Sequence, residues 1–206
     1  MSDAKYREGM LRFGVDNTTA LGVSTPQLRK LAKEIKTNQQ LSLELWETGI
    51  HECRILASMI GDPKQVTPQQ MDQWTNEFYS WDICDQVCGN LFDRTEFAIE
   101  KALEYSTSEK EFVKRAGFVL MAEFAVHNKK AGDEVFLQFF PIIEREARDD
   151  RNFVKKAVNW ALRQIGKRNQ TLLSIAIETA KRIQKQENKA ARWIANNALA
   201  ELEKRT

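Results

Sequence analysis

The residues of this chain best suited to chemistry are Trp81 and Asp85, four apart in Tyr79-Ser80-Trp81-Asp82-Ile83-Cys84-Asp85. On a helix that spacing stacks the indole and the carboxylate on one face, one above the other. Ser80 or Asp82 suits the helix cap, which leaves Asp85 without a capping duty. A carboxylate beside an indole can stabilise positive charge developing on a sugar, and the ring can hold a cationic base by cation–π attraction. The same spacing also fits a structural role, with Trp81 in a core and Asp85 paired with Arg54 or Arg115. Trp160 and Arg163, three apart, form a second aromatic–basic pair that could stack on a sugar and grip a phosphate. Trp160 in the core with Arg163 solvated is the alternative.

Other chemistries lack material. Cys53, Cys84 and Cys88 are an odd set, and the Cys84/Cys88 pair has no second pair to complete a zinc site, so reduced thiols in the cytoplasm are expected. His51 and His127 are the only histidines, which leaves little for a nucleophile–base system. Gly89, Gly117 and Gly166 are isolated and form no phosphate loop. Lys167 and Arg168, just after Gly166, suit the C-terminal cap of their own helix, where cations complement the dipole. No metal or cofactor is expected.

These residues have to be positioned by helices. Only 9 glycines and 4 prolines occur in 206 residues, and apolar residues recur at three- and four-residue spacing with no alternating strand run. Pro26 and Pro68 follow capping hydroxyls as first-turn prolines. The pattern predicts helices over 4–13, 26–37, 41–49, 51–61, 68–79, 82–91, 96–106, 109–127, 132–147, 151–167, 170–186 and 188–204. With 29 % charged residues and no apolar run of membrane-spanning length, a membrane protein is excluded, and the Met1-Ser2-Asp3-Ala4-Lys5 start has no apolar signal core.

Repetition organises those helices. Arg54, Asp85, Arg115, Lys156 and Arg192 open similar apolar stretches at intervals of 31, 30, 41 and 36 residues, each long enough for an antiparallel helix pair. Small residues such as Ala57, Ala116, Ala157 and Ala195 would let helices approach closely. The expected architecture is all-α: a single domain over 1–206, a right-handed superhelix of HEAT-like helix pairs with a concave basic face. The second helices carry Arg54, Asp85, Arg115, Lys155, Lys156, Arg163, Lys189 and Arg192. A row of cations at helix spacing can follow a phosphate backbone, though solenoids also bind proteins. Residues 1–100 hold 10 basic and 15 acidic groups, against 21 and 14 in residues 101–206. Such one-sided charge steers an anionic partner.

The chain resembles the AlkD-type DNA alkylation repair proteins, a family of HEAT-like-repeat glycosylases, from about Gly9 to Leu202. The resemblance runs through Arg12-Phe13-Gly14, Ile50-His51-Glu52-Cys53-Arg54-Ile55-Leu56-Ala57, Trp81-Asp82-Ile83-Cys84-Asp85-Gln86-Val87-Cys88 and Phe112-Val113-Lys114-Arg115-Ala116-Gly117. Its longest block is Asp149-Asp150-Arg151-Asn152-Phe153-Val154-Lys155-Lys156-Ala157-Val158-Asn159-Trp160-Ala161-Leu162-Arg163-Gln164-Ile165-Gly166-Lys167-Arg168.

The resemblance implies hydrolysis of the N-glycosidic bond of N3- or N7-alkylated purines in double-stranded DNA, without a deep pocket for a flipped base. It implies that Trp81 and Asp85 meet the lesion's sugar and backbone, that Arg115 and Trp160 complete a cleft, and that Arg163 holds a phosphate. Lys155, Lys156, Arg54 and Arg192 are the further DNA-binding candidates, and the protein is expected to act as a monomer. A relative that binds unusual DNA without excising anything is the alternative it carries. The family usually has one or two further helices before the stretch that begins here near Met1, so weaker clasping is expected, with Tyr6 as the candidate aromatic contact.

Overall fold

Helices begin where the sequence supplies partners for first-turn N–H groups. Asp3, Asn38, Thr67, Asn169 and Asn188 each accept a hydrogen bond from a first-turn backbone N–H through the side chain. At Ser24 the Gln27 side chain returns to the cap's own N–H at 3.0 Å, and Pro26 and Pro68 occupy first turns as expected. The computed structural model describes residues 3–205; Met1, Ser2 and Thr206, the outermost residues of the expected domain and start, lie outside them. The described residues are helical with no strand, and none of their helices is long and apolar enough to cross a membrane.

Two compact units divide the chain, residues 1–96 and 97–206. The first holds α1 (Ala4–Met10), α2 (Thr25–Ile35), α3 (Gln39–Glu47), α4 (His51–Ile60), α5 (Pro68–Asn76) and α6 (Trp81–Asn90), with 3-10 turns at Leu11–Phe13 and Phe92–Arg94. Here α4 packs against α2, α3 and α6. The second unit holds α7 (Ala98–Tyr105), α8 (Glu111–His127), α9 (Asp133–Leu137), α10 (Phe139–Glu146), α11 (Asn152–Gly166), α12 (Gln170–Gln184) and α13 (Lys189–Leu202), then a 3-10 turn at Glu203–Arg205. In it α11 packs against α8, α12 and α13, and α12 packs against α10 and α13.

The repeat is visible in the polar bonds. In the first unit Gln39 bonds Gln70, Trp46 bonds Glu77, His51 bonds Asp82 and the Leu21 N–H bonds Glu52, always 31 residues apart. In the second, Arg115–Phe153, Asn159–Asn197, Arg163–Glu201, Arg182–Glu144 and Arg148–Gln186 are all 38 apart. Each bond joins equivalent points of successive helix pairs, as nearest-neighbour stacking requires.

Two expectations are corrected. The helix expected over 132–147 is broken between Leu137 and Phe139. Pro141 removes the N–H that would bond the Leu137 carbonyl and its ring crowds that same group. Arg168 does not cap its own helix. Its guanidinium donates to the carbonyls of Ala125, Asn128 and Ala131 at 2.7, 2.9 and 3.0 Å and lies 4.0 Å over the Phe136 ring, so it closes the C-terminus of α8 instead.

Candidate nucleic-acid interface

In the first unit Trp81 opens α6 and Asp85 follows one turn later, both half-buried. Ser80 holds the N-cap position, but its hydroxyl donates to Asp82 at 2.5 Å. Asp82 also meets Nε2 of the buried His51 at 2.9 Å, and His51 Nδ1 lies 3.0 Å from the Tyr79 hydroxyl. Burial alone would raise the Asp82 carboxyl, but the His51 hydrogen bond and charge, with Ser80, hold it below the usual carboxylate range. Asp82 therefore works inside the fold, joining α6 to α4.

Trp81 is held by an N-terminal segment whose role the residue pattern does not reveal. Its indole N–H donates to the Phe13 carbonyl at 2.9 Å, and its ring packs against Met10, Val15 and Ala20. That segment is tied down where the Asp3 N–H bonds the Gly22 carbonyl at 3.1 Å. Gly22 sits at φ +83°, and a Cβ there would meet the Asp3 carbonyl oxygen at 2.2 Å, so only glycine permits this approach. Glu52, buried on α4, accepts from the N–H groups of Leu21, Gly22 and Val23 at 2.8, 2.7 and 3.1 Å and fixes the same loop. Tyr6, Phe13 and Trp81 thereby surround a cavity of about 520 Å³.

Arg54 is committed elsewhere in this unit. Its guanidinium bonds Glu77 at 2.5 Å and lies 4.6 Å over the Trp46 ring, while Trp46 stacks on Trp74 at 4.0 Å. This arginine holds α4 to the end of α5; its partner is Glu77, not Asp85.

In the second unit the expected residues fall into two groups. Arg115 is only 5 % exposed and donates to the Phe153 carbonyl at 2.6 Å, joining α8 to the first turn of α11. Arg163, half-buried, pairs with Glu201, which Lys167 also reaches. Burial alone would raise the Glu201 carboxyl, but Lys167 and Arg163 hold it low. Lys156 and Arg192 are exposed, and Lys155 and Trp160 are half-exposed.

Trp193, which is not among the residues expected from the sequence, is 40 % exposed with the Lys155 ammonium 5.0 Å from its ring centre. The signal that marks it is local: α11 carries no acid, and α13 carries none before Glu201. Lys155, Lys156, Lys189 and Arg192 thus share two packed helices with an exposed indole, a combination suited to phosphate and to an unstacked base.

The sequence profile of the DNA alkylation repair enzymes matches residues 1–202. Among solved structures, the chain is similar to one described as a new family of proteins related to the HEAT-like repeat DNA glycosylases with affinity for branched DNA structures. The TM-score is 0.79 at 22 % identity, over 95 % of this chain and 88 % of that one. That likeness gives the fold, a HEAT-like repeat. No curated protein matches the chain in sequence. With the profile spanning nearly every residue from the first helix to the last, this chain belongs to the DNA alkylation repair enzyme family.

Proposed function

We propose that the protein hydrolyses the N-glycosidic bond of purines alkylated at N3 or N7 in double-stranded DNA. The observation that supports this most is the half-buried pair Trp81 and Asp85, one turn apart on α6, in a chain of this family. Alkylation leaves the base positively charged, so it departs with the bonding electron pair and becomes neutral while the sugar turns oxocarbenium-like. Asp85 stabilises that cation and takes a proton from the water whose oxygen bonds to the sugar carbon. Trp81 presents its ring to the sugar. In the second unit Lys155, Lys156, Arg192 and Trp160 bind the DNA backbone. Arg115 and Arg163 support that surface through Phe153 and Glu201, while Arg54 braces α4 in the first unit through Glu77. No step needs a metal or cofactor.

A second reading, binding of branched or damaged DNA without excision, is favoured by one observation. Three of the arginines expected to meet phosphate are engaged in internal bonds, while the exposed Trp193 suits an unpaired base. Base release from methylated DNA separates the two. The wild type should free methylated purines, and Asp85→Asn and Trp81→Ala should each slow release by roughly tenfold or more with helicity unchanged. Equal rates in all three proteins would remove the catalytic assignment; salt-sensitive binding with no release above background would establish the second reading.

A further inference from the structure

His51 opens α4, is only 1 % exposed and has a partner on each ring nitrogen. Nε2 lies 2.9 Å from the Asp82 carboxylate at the start of α6, and Nδ1 lies 3.0 Å from the Tyr79 hydroxyl. That hydroxyl is 3.1 Å from the hydroxyl of Thr19, and the His51 backbone N–H donates to the Thr19 carbonyl at 3.3 Å. The ring thus ties together the two stretches that flank Trp81. Asp82 follows the indole in the chain, and Thr19 precedes Ala20, against which the indole packs. Only one end of this hydrogen-bonded row has a fixed direction. Asp82 is held as an anion and can only accept, so Nε2 carries a hydrogen whatever the charge on the ring. Any proton gained or lost is therefore at Nδ1. Burial pushes the Tyr79 hydroxyl up, so it stays a phenol with a single hydrogen. Beside a neutral ring the phenol donates to Nδ1 and accepts from Thr19. When Nδ1 takes up a proton it donates to the phenol oxygen, and the phenol hydrogen turns to Thr19. Each group keeps a partner in both states, so this buried ring can change charge with its heavy atoms in place.

We infer that His51 is a positioning residue whose protonation tightens the seat of Trp81 and so makes the site on α6 sensitive to pH. Its part in the reaction rests on the alkylated-DNA reading above; its hold on Trp81 does not. The protonated ring meets Asp82 through a charge-assisted hydrogen bond, roughly twice as strong as the neutral one. The grip on α6 is therefore firmest below the His51 midpoint and slackens as pH rises through it. The other charges around the ring leave this balance standing. Asp16, on the loop before Thr19, is held low by Thr18 and favours the imidazolium. Asp3 and Lys5, which line the cavity that His51 borders, offset one another, and α2 brings only the uncharged Thr25 to it. On α4 itself, Glu52 is engaged by three backbone N–H groups and Arg54 by Glu77.

The test uses the full chain. Nitrogen–proton NMR of the histidine rings, taken across about pH 5–9 where histidines ordinarily change charge, should show Nε2 of His51 protonated throughout and Nδ1 titrating. The Trp81 indole N–H resonance should move with the same midpoint, and that of the distant Trp193 should not. His51→Gln should abolish the movement at Trp81 with helicity unchanged. Tyr79→Phe removes the acceptor for the Nδ1 hydrogen, and the ring should then hold that proton about threefold to tenfold less tightly. This second variant reads the same link if His51→Gln does not fold. A ring that does not titrate, or a Trp81 resonance indifferent to it, overturns the inference. For the reaction, the ratio of wild-type to His51→Gln base release from methylated DNA cancels any titration of the substrate. That ratio should fall about threefold to tenfold as pH rises through the His51 midpoint. A constant ratio would overturn the part of His51 in the reaction and leave the glycosylase reading intact. No base release at any pH, with Trp81 still following His51, would sink the glycosylase reading alone.

Discussion

The two units use the same element, a pair of helices, yet they repeat it at different spacings and finish it with opposite charge. In residues 1–96 equivalent bonds fall 31 residues apart, and 10 Lys and Arg stand against 14 Asp and Glu. In residues 97–206 the bonds fall 38 apart, with 21 basic groups against 15 acidic. The extra length goes into longer helices: α8, α11 and α12 have 17, 15 and 15 residues, where α4 and α6 have 10 each. Longer second helices give the later unit more outward positions for lysine and arginine. The earlier unit spends its polar groups holding loops and a cavity together. The lesson is a division of labour: one unit is bonded internally around a cavity, the other carries its cations outward.

The largest effect on this comparison is expected at Lys114, whose ammonium is nearly buried in α8, 2.9 Å from Glu146 and 3.4 Å from Asp149. Replacing it by Met strands charge in the second unit and should cost about 3 kcal/mol, toward the lower end for a broken buried pair because Arg145 and Arg151 still serve the two acids. Burial alone would raise both carboxyls. Glu146 is held low by Lys114 and Arg145, and Asp149 chiefly by Arg151 with help from Lys114. Acids depressed in the folded state contribute fully above their ordinary pKa and lose that contribution as pH falls through the folded values, here below about pH 4. Asp82 behaves likewise in the first unit. Amide exchange across an acid titration should therefore show both units weakening, with Lys114→Met flattening the loss only in residues 97–206. Flattening in both units would show that the two do not respond separately.

A middle-sized effect compares how tightly helices approach. A Cβ on Gly117 would lie 2.5 Å from the Ser106 nitrogen and 2.9 Å from the Ala102 carbonyl, both backbone of the α7 hairpin. Gly117→Ala should cost about 1–3 kcal/mol, since neither group can turn aside. On Gly61 the nearest atoms are Leu91 methyls at 2.9 and 3.0 Å and the Ser42 hydroxyl at 3.1 Å, and Gly61 has an ordinary negative φ. Gly61→Ala should cost under about 1 kcal/mol, because side chains move and the unfolded chain loses freedom. Urea unfolding midpoints check the pair, and comparable losses would mean the first unit is as rigidly packed as the second.

Much of the fold is legible in the residues alone. The starts near Pro26 and Pro68 follow from the hydroxyls that precede them, and the 31-residue step from Arg54 to Asp85 marks the first unit's repeat, whereas the helix expected from 41 begins at Gln39 because Asn38 caps it. What stays hidden depends on distant partners. Nothing local tells that Arg163 pairs with Glu201 rather than with phosphate, or that Arg168 caps a helix about 40 residues back. The cavity is hidden for the same reason, since it exists only once the Asp3 backbone reaches Gly22 and carries Tyr6 and Phe13 to Trp81. Trp193 carries a sequence signal, the lack of acids on α11 and on most of α13, but which lysine it meets is fixed only when the two helices pack and Lys155 comes to lie over its ring.

The smallest effects are the ones that test the division of labour on DNA itself. Lys156 and Arg192 are exposed on α11 and α13. Removing either by alanine should weaken duplex binding by less than about 1 kcal/mol and lower the slope of log affinity against log salt by roughly one for each phosphate no longer neutralised. Lys33, exposed on α2 of the first unit, should leave the slope unchanged when it becomes alanine. Trp193→Ala should also leave the slope alone while weakening a single-stranded arm at every salt, because stacking releases no counterions. Binding titrations of the four variants over a salt series measure all of this. A slope that fell equally for Lys33→Ala and Lys156→Ala would show both units gripping phosphate alike, and the contrast between a charged unit and a cavity-bearing one would not describe how this protein meets DNA.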